Sequence, residues 1–397
     1  MRMRYFRAAC VFLLMITALT VTCGAGAEKS ILLTFTGDCT LGSEERTGEQ
    51  ETSFVTVAKK KGYDYFFANM RELFEQDDLT IINLEGVLSD SKNQENKSKT
   101  YRFRGPTEYV RILTGSSIEV CNLANNHLND FGKQGEERTK ATLEENGIGW
   151  FREYDYYIYE KDGIRIAFIG LENRTVFNEI AKVNALMATL KESGEANAIV
   201  VCWHTGREYR GAHEDGTQKI CEDMIGNGAD LIINMHPHVL QGISLCNNRC
   251  IFYSLGNFVF GGNDRIRTEK FKLDKTVSTL YTVALQVRMQ FSDDGRYLGQ
   301  HPVLYPVYTS STAPINNYQP YRVNAQDAVP VLEALQEDTD RKKITLSISV
   351  GKDGLSMIDL GYIAAFDGVA FPDSDNRSLR GAPEAADPAP SRETKSN

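Results

Sequence analysis

Histidines and carboxylates follow several predicted strands of this 397-residue chain, and both kinds of side chain can bind metal ions or transfer protons. Five of the six histidines lie between residues 127 and 238. Four of them come at the ends of apolar stretches that predict strands: His127, His204, His236 and His238. Because the carboxyl ends of parallel strands meet at one edge of a sheet, these imidazoles are expected to lie close together. The pattern predicts a metal-binding or acid-base site at that edge.

The stretch from Cys121 to Asp130 carries three kinds of metal ligand. Residues 118–123 predict a strand, which breaks into Asn125-Asn126-His127 and then reaches Asp130. Asparagines favour turns, and amide, imidazole and carboxylate groups all bind metals. Taken alone, the stretch also fits a helix start with an asparagine cap and a solvated aspartate. The neighbouring strand ends favour the site.

Two carboxylates follow the first two predicted strands. Asp38 comes after residues 31–36, and Glu85 ends the strand predicted over residues 79–85. Burying two acids beside four histidines would cost much free energy without a counter-ion. We therefore favour a metal or acid-base site over a purely structural network of polar side chains.

His236 and His238 flank Pro237 directly after a predicted strand. In extended backbone the side chains at i and i+2 point the same way, and proline disfavours helical backbone at the residue before it. The sequence thus predicts that both imidazoles approach one ion, or two adjacent ions. The alternative is a turn with one buried and one exposed histidine.

Glu208 lies four residues after His204 and is a candidate to orient its imidazole. The alternative for Glu208 is a surface ion pair with a neighbouring arginine. His213 and His301 have no comparable context, so we leave both outside the predicted site.

Alternating strand and helix patterns predict an α/β core over residues 28–265, with a largely buried sheet. Within this core, residues 243–260 predict a hairpin and the polar residues 89–99 predict a surface loop. Residues 266–370 are β-rich, as part of the same domain or as a small accessory domain. Residues 371–397 contain few apolar side chains, which predicts a disordered tail.

Residues 1–27 are typical of a signal peptide. Arg2, Arg4 and Arg7 precede an uncharged, mostly apolar stretch, and Ala25-Gly26-Ala27 fits a cleavage site. An uncleaved N-terminal anchor is the alternative. Either interpretation predicts an exported protein at the cell surface.

Charge and cysteine content narrow the function classes. The net charge of −9 argues against nucleic acid as a partner. The cysteines form no C-x-x-C pair, which argues against a zinc ribbon. Cys246 and Cys250 flank a short predicted turn and are candidates for a cross-strand disulfide. The alternative is that the cysteines are small, buried apolar residues.

Six motifs, in order between residues 31 and 260, resemble the CapA family of capsule-synthesis proteins associated with poly-γ-glutamate. They are Gly37-Asp38-x-x-Leu41-Gly42, Asn83-Leu84-Glu85-Gly86, Ala124-Asn125-Asn126-His127-x-x-Asp130-x-Gly132, His204-x-Gly206-x-Glu208-Tyr209, His236-Pro237-His238-Val239-Leu240-Gln241 and Tyr253-Ser254-Leu255-Gly256-Asn257-Phe258. The resemblance implies a fold similar to that of calcineurin-like metallophosphoesterases. That fold is a four-layer α/β sandwich with a two-metal site on the strand ends.

The resemblance also implies roles for individual residues. Six of them would bind one or two divalent ions (Mn, Zn, Fe or Mg): Asp38, Glu85, Asn126, His204, His236 and His238. His127 would be the catalytic acid or transition-state stabiliser, oriented by Asp130. Glu208, Asn83 and Asn257 would support these ligands or contact substrate.

The chain departs from the metallophosphoesterase pattern at two positions. Those enzymes carry Asp-x-His in the first motif, where this chain has Asp38-Cys39-Thr40. Glu85 stands in place of their bridging aspartate. We therefore expect one of the two metal positions to be weakened or absent.

By this resemblance the protein would take part in synthesis, export or trimming of an anionic polymer, poly-γ-glutamate, with membrane-bound synthase subunits as candidate partners. Arg102, Arg104 and Arg207 lie near the motifs and are candidate contacts for substrate carboxylates. Two other functions fit the same residues. One is an extracytoplasmic metal-dependent phosphoesterase, and the other is a non-catalytic scaffold that binds polymer.

Overall fold

A computed structural model describes residues 29–44, 46–48, 50–267, 277–340 and 342–366. The predicted signal segment (residues 1–27) and most of the predicted tail (residues 371–397) lie outside these ranges. Within them, no helix combines the length and the apolar character that a membrane crossing requires.

The described residues form twenty strands and seven α-helices. The strands are β1 (Lys29–Thr40), β2 (Ser43–Glu44), β3 (Leu79–Leu84), β4 (Val87–Leu88), β5 (Phe103–Gly105), β6 (Val120–Asn122), β7 (Gly149–Phe151), β8 (Tyr157–Lys161), β9 (Ile164–Glu172), β10 (Ala198–His204), β11 (Leu231–Met235), β12 (Ile243–Cys246), β13 (Arg249–Phe252), β14 (Asn257–Phe260), β15 (Tyr281–Phe291), β16 (Tyr297–Tyr308), β17 (Tyr321–Arg322), β18 (Ser349–Val350), β19 (Ser356–Asp359) and β20 (Ile363–Ala364). The helices are α1 (Phe54–Lys61), α2 (Arg71–Phe74), α3 (Val110–Thr114), α4 (Gly132–Glu145), α5 (Asn173–Glu192), α6 (Asp215–Gly226) and α7 (Val329–Asp338), with 3₁₀ turns at Tyr63–Tyr65 and Thr107–Tyr109.

The first large sheet is centred on β1. Its main order is β18-β19-β16-β15-β1-β3-β6-β7, and β14 pairs with the carboxyl end of β1. Strands β1, β3, β6 and β7 run parallel, while β15 and β16 are antiparallel. The carboxyl ends of β1, β3 and β6 therefore share one edge, as parallel strands require.

The second large sheet has the order β12-β13-β11-β10-β9-β8. Strands β9, β10, β11 and β13 run parallel, and β8 and β12 are antiparallel at the two edges. The central strands are buried on both faces, which explains their nearly continuous apolar sequences.

The two sheets pack face to face between two layers of helices. On β9, Ile166 and Phe168 point into the core between the sheets, where they share a cluster with Leu33 and Phe35 of β1. The alternate residues of β9 and β10 instead pack on α5 and α6. The outer face of the first sheet packs on α1, α2 and α3. The predicted four-layer α/β fold with a β-rich C-terminal part is confirmed.

The predicted hairpin over residues 243–260 is only partly correct. Strands β12 and β13 form a hairpin over Ile243–Phe252, but β14 leaves for the other sheet and pairs in parallel with β1. Alternation of apolar residues cannot show this crossing, because β14 is buried on either assignment.

The predicted disulfide between Cys246 and Cys250 is contradicted. Both cysteines are free, and they are not paired across the hairpin, since Cys246 faces Arg249 and Cys250 faces Leu245. Cys250 points into the core between the sheets, whereas Cys246 packs with the cluster under α6. Neighbouring positions of a strand point to opposite faces, so the two sulfur atoms diverge.

Candidate metal centre

Asp38 lies at the carboxyl end of β1, between two strands that each bring an asparagine beside it. The pairing register places Asp38 opposite Asn83 of β3 and opposite Asn257 of β14. Gly37 permits this arrangement, because a Cβ atom there would lie 1.9 Å from the carbonyl oxygen of Gly256. Asn83 Nδ2 donates to Asp38 Oδ1 at 2.8 Å. The carboxylate is fully buried and fixed in direction.

Glu85 follows β3 and is held through its backbone. Its amide donates to the carbonyl of Cys39 at 2.8 Å, and its carbonyl accepts from the hydroxyl of Thr40 at 2.9 Å. The side chain is 0% exposed, yet neither carboxylate oxygen has a hydrogen-bond partner among the described residues. A buried carboxylate without partners is costly, so this group calls for a cation.

Three further atoms that can bind a metal lie near Glu85, and they come from both sheets. Asn126 Oδ1 lies 2.9 Å from His204 Nε2, and His236 Nδ1 lies 3.0 Å from the same nitrogen. His204 Nε2 is 3.6 Å from Glu85 Oε1. Ligands about 2.1 Å from one ion stand about 3.0–3.4 Å apart. The observed separations fit a shared divalent ion.

His238 faces the other side of Glu85. Its Nε2 is 3.9 Å from Glu85 Oε1, and its Nδ1 is 3.2 Å from Asp38 Oδ2 and 2.9 Å from Asn257 Oδ1. Among the described residues, two groups of side chains bring their potential ligand atoms within 4.8 Å of one another: Glu85 with His204 and His236, and Asp38 with Glu85 and His238. Glu85 belongs to both groups, so it would be shared if two ions were bound.

The backbone of the His-Pro-His segment differs from the extended form that the sequence predicted. His236 has φ of 104° and His238 has φ of 60°. Both are outside the extended region, and such angles are rare for residues with a Cβ. The imidazoles reach the site through this strained turn and not through i, i+2 alternation. The His236 amide donates to Asp38 Oδ2 at 3.2 Å, which holds the turn against β1.

His127 is oriented by Asp130, three residues later in the chain. His127 Nδ1 lies 2.7 Å from Asp130 Oδ2, and the same carboxylate accepts from the Phe103 amide at 2.7 Å and from Lys99 Nζ. The neutral imidazole then carries its proton on Nδ1 and turns Nε2 toward Glu85, 3.7 Å from Oε1. This nitrogen is available to a substrate at the centre.

Burial and mutual charge set the protonation of these groups. Burial, with the positive charges of nearby histidines, holds the pKa of His204 well below its ordinary value, and burial with His238 lowers the pKa of His236 to about 4. Burial would lower the pKa of His238 too, but Glu85 and Asp38 outweigh it and raise that pKa to about 9. Burial and the charge of Asp38 raise the pKa of Glu85 well above its ordinary range. Neutral His204 and His236 are in the form that binds metal.

Other predicted contributors lie outside the centre. Glu208 is at the exposed rim, while the described hydrogen-bonding neighbours of His204 are Asn83, Asn126 and His236. No hydrogen bond joins Glu208 to His204 among the described residues, but Glu208 lines the cavity over His127 and His238, so its assignment as a substrate contact stays a prediction.

The three candidate arginines lie outside the centre and contact other protein groups: Arg102 contacts Glu95, Arg104 the Ser89 carbonyl and Arg207 Glu214. Arg104 also lines a surface cavity. Cys39 does not replace, as a metal ligand, the histidine that is missing from the first motif. The Cys39 side chain packs in the outer core, and burial raises its thiol pKa to about 12.

Three contributors escaped the sequence analysis. Asn122 and Asn125 both donate to Asn83 Oδ1, at 3.1 and 3.3 Å, and so fix the amide that supports Asp38. Asn122 was detectable as a polar residue inside an apolar strand. Lys99 belongs to the stretch predicted as a surface loop, yet it reaches Asp130 and the Asn126 carbonyl. Nothing in its local sequence indicates that contact.

A model of the bacterial capsule synthesis protein PGA_cap family matches residues 32–262, more than half of the chain. The chain belongs to the PGA_cap family. The matched range contains every residue of the centre, and the predicted resemblance is confirmed.

Two CapA proteins are among the relatives of this PGA_cap chain. It is 28% identical over 257 residues to the capsule biosynthesis protein CapA of Bacillus anthracis, covering 59% of this chain and 60% of the relative. It is 31% identical over 223 residues to the PGA biosynthesis protein CapA of Bacillus subtilis (strain 168), covering 51% of this chain and 59% of the relative. The chain thus spans about 60% of the length of these relatives.

Among solved structures, a putative 5'-nucleotidase from Staphylococcus aureus superposes with a TM-score of 0.40 and 13% sequence identity, covering 68% of this chain and 52% of that one.

Proposed function

We propose that this PGA_cap protein trims an anionic cell-surface polymer, poly-γ-glutamate, by metal-dependent hydrolysis during its synthesis or export. It acts outside the membrane, next to the membrane-bound subunits that make the polymer. The observation that carries the proposal is the Glu85 carboxylate, which is fully buried, has no hydrogen-bond partner in the part of the chain that the structure describes, and is surrounded by three imidazoles within 4 Å.

The donor set fits one or two divalent ions. Glu85, His204, His236 and Asn126 would hold one ion, and Asp38, Glu85 and His238 would hold the other. A bound ion would act as a Lewis acid toward a carbonyl oxygen. It would also lower the pKa of a water bound to it, so that this water could act as a nucleophile at neutral pH. Carboxylate, imidazole and amide ligands of this kind suit Mn, Zn or Fe.

The side chains around the ions have separate tasks. Asp130 fixes the tautomer of His127, so that Nε2 can take the proton that an attacking water loses and then give it to the nitrogen that leaves when an amide bond is cleaved. Asn83 holds Asp38 in place through its amide. Phe103 packs on the His127 ring at 4.4 Å between centroids and helps to hold its orientation.

The choice of polymer rests on family membership and on the roles that the names of relatives give them. The relatives from both Bacillus species are biosynthesis proteins of a capsule or of PGA. Repeated amide bonds with free carboxylates are a substrate that a Lewis acid and a proton donor can hydrolyse.

The test is hydrolysis of poly-γ-glutamate by protein stripped with a chelator and reloaded with one divalent metal at a time. New amino ends and the polymer length by size exclusion report the cleavage. We expect metal-dependent shortening that falls about a hundredfold or more in Glu85→Gln and in His127→Ala. Glu137→Gln changes a carboxylate that is 64% exposed on α4 and serves as the matched control.

The same samples distinguish the alternatives. Hydrolysis of a chromogenic phosphodiester that Asp38→Ala abolishes, with the polymer left intact, would establish a phosphoesterase instead. Polymer binding without stoichiometric metal or any turnover would establish a scaffold. Either outcome overturns the proposal.

A further inference from the structure

Three adjoining cavities extend from the candidate metal centre along the surface. The first, of about 50 Å³, lies over His127 and His238. The second, of about 180 Å³, shares Tyr101, Asn263 and Arg267 with it. The third, of about 530 Å³, shares Ser43 and Glu44 with the second. Together they form a cleft that runs from the centre past β2 toward α1.

Basic side chains line this cleft along its length. Arg267 lies over the Tyr209 ring, 4.5 Å from its centroid, and Arg46 lies over the Tyr101 ring at 5.6 Å. The third cavity adds Lys59, Lys92 and Arg104, so that five basic residues face four acidic ones in a chain with a net charge of −9. The cleft is more basic than the chain as a whole.

The acid nearest to Arg46 leaves this arginine accessible. Glu44 is 5% exposed and bonds Arg46 Nε at 2.5 Å, whereas the Arg46 side chain is 62% exposed. Glu44 is thus a buried support for the guanidinium, whose outer edge faces solvent. That edge can bind a carboxylate in two-point fashion.

Two polar side chains mark the wall of the cleft. Ser43 is only 4% exposed, and its hydroxyl has no hydrogen-bond partner among the described residues. Asn263 is half-buried and interacts with the Tyr209 side chain. A buried donor left unpaired costs about 1–3 kcal/mol. Both groups can donate to the oxygens of a ligand, and they stand at the two junctions between the cavities.

We propose that this cleft binds a run of several residues of a carboxylate-bearing amide polymer while one of its bonds lies at the metal centre. Cations, aromatic rings and hydrogen-bond donors along the cleft match the carboxylates, methylenes and amide oxygens of such a chain. The inference rests on the proposed function and deepens it, because it makes a long polymer the preferred substrate over a glutamate dimer or a small phosphoester.

The experiment measures binding of fluorescent γ-linked glutamate oligomers, from a dimer to a long chain, to the full-length protein by anisotropy. Measurements are made with metal loaded and after chelation. We expect the affinity to rise with oligomer length, and Arg267→Gln to weaken binding of the long oligomer about tenfold, with Ser43→Ala weakening it less. Binding of the dimer and the metal content stay unchanged.

Arg322→Gln is the matched control. Arg322 lies 4.6 Å from the Tyr305 centroid, much as Arg267 lies over Tyr209, but it does not line the cleft. Affinity that does not depend on length, or equal losses in Arg267→Gln and Arg322→Gln, would overturn the inference. Length-dependent binding without hydrolysis would support the cleft and overturn only the proposed function. Hydrolysis together with binding that does not depend on oligomer length would support the proposed function and overturn only the inference about the cleft.

Discussion

Replacing Glu85 by glutamine should change the stability of the protein in opposite directions with and without metal. Without metal, the carboxyl group is buried beside Asp38 and has no hydrogen-bond partner within the described ranges, so its protonated form is favoured. Protonating a glutamate of ordinary pKa at pH 7 costs about 3.7 kcal/mol, which is the upper limit of what a neutral glutamine avoids. The lower limit is about 1 kcal/mol, which is the smallest cost of leaving a buried polar group without a hydrogen-bond partner.

The expected result in a chelator is therefore a Glu85→Gln variant more stable than wild type by about 1–4 kcal/mol at pH 7. The folded-state pKa of Glu85 is raised, so its contribution to stability is present below the unfolded pKa and is lost as the pH rises. The advantage of glutamine should therefore vanish near pH 4. With metal at a hundredfold excess over its Kd, wild type gains about 2.7 kcal/mol. The variant lacks the shared ligand and should gain little.

Urea unfolding at pH 7 and pH 4, in chelator and in divalent metal, measures both effects. Asp230→Asn is the matched control, because Asp230 is also buried but bonds Lys191 Nζ and the Ile199 amide at 2.5 and 2.9 Å. Its loss should destabilise by about 3 kcal/mol with or without metal. A Glu85→Gln variant less stable than wild type in chelator, together with a wild type that no divalent metal stabilises, would refute the metal centre.

Three further predictions follow from particular groups. Burial raises the pKa of Asp77 to about 7, so the contribution of this group to stability is present below pH 4 and is lost as the pH rises through 7. In urea unfolding, the Asp77→Asn variant should be more stable than wild type by about 2 kcal/mol at pH 8 and no more stable at pH 4. Metal binding must release the proton of His238, whose pKa is about 9, and that of Glu85, so the affinity for the metal should rise with pH between about 6 and 9. Calorimetry in buffers of different ionisation enthalpy counts the released protons. A metal affinity that does not change with pH would contradict this prediction. Ser53 caps α1, because its hydroxyl accepts a hydrogen bond from the Thr56 amide at 3.2 Å. Ser53→Ala should therefore destabilise the protein by about 1 kcal/mol, measured as a lower thermal midpoint. A variant that also lost metal binding would contradict a purely local role of Ser53.

The sequence was sufficient for the layers and for the edge where the polar groups meet. Period-two and period-3.6 patterns report which face of an element is buried, and the polar residues at the ends of β1, β3, β10 and β11 interrupt those patterns. Asp38 and Glu85 could be assigned to one edge because parallel strands of one sheet share direction. His204 belongs to the second sheet, so its approach to Asp38 depends on how the two sheets pack.

What the sequence did not predict depends on contacts between distant residues. The positive φ angles of His236 and His238 are maintained by a bond to Asp38, nearly two hundred residues earlier. The bond from Lys99 to Asp130 joins a polar loop to the segment between β6 and α4, and the pairing of β14 with β1 brings Asn257 opposite Asp38. Local periodicity carries no information on such pairings.

The centre draws its ligands from both sheets, and this has a consequence for how the protein matures. Asp38, Glu85 and Asn126 come from the first sheet, and His204, His236 and His238 come from the second, whose strands all precede β14 to β20 of the first sheet. A growing chain therefore holds all six candidate ligands before the first sheet has received its last strands. An ion bound at the centre would hold the two sheets together at their shared edge. Retention of the ion would mark molecules in which both halves have assembled correctly.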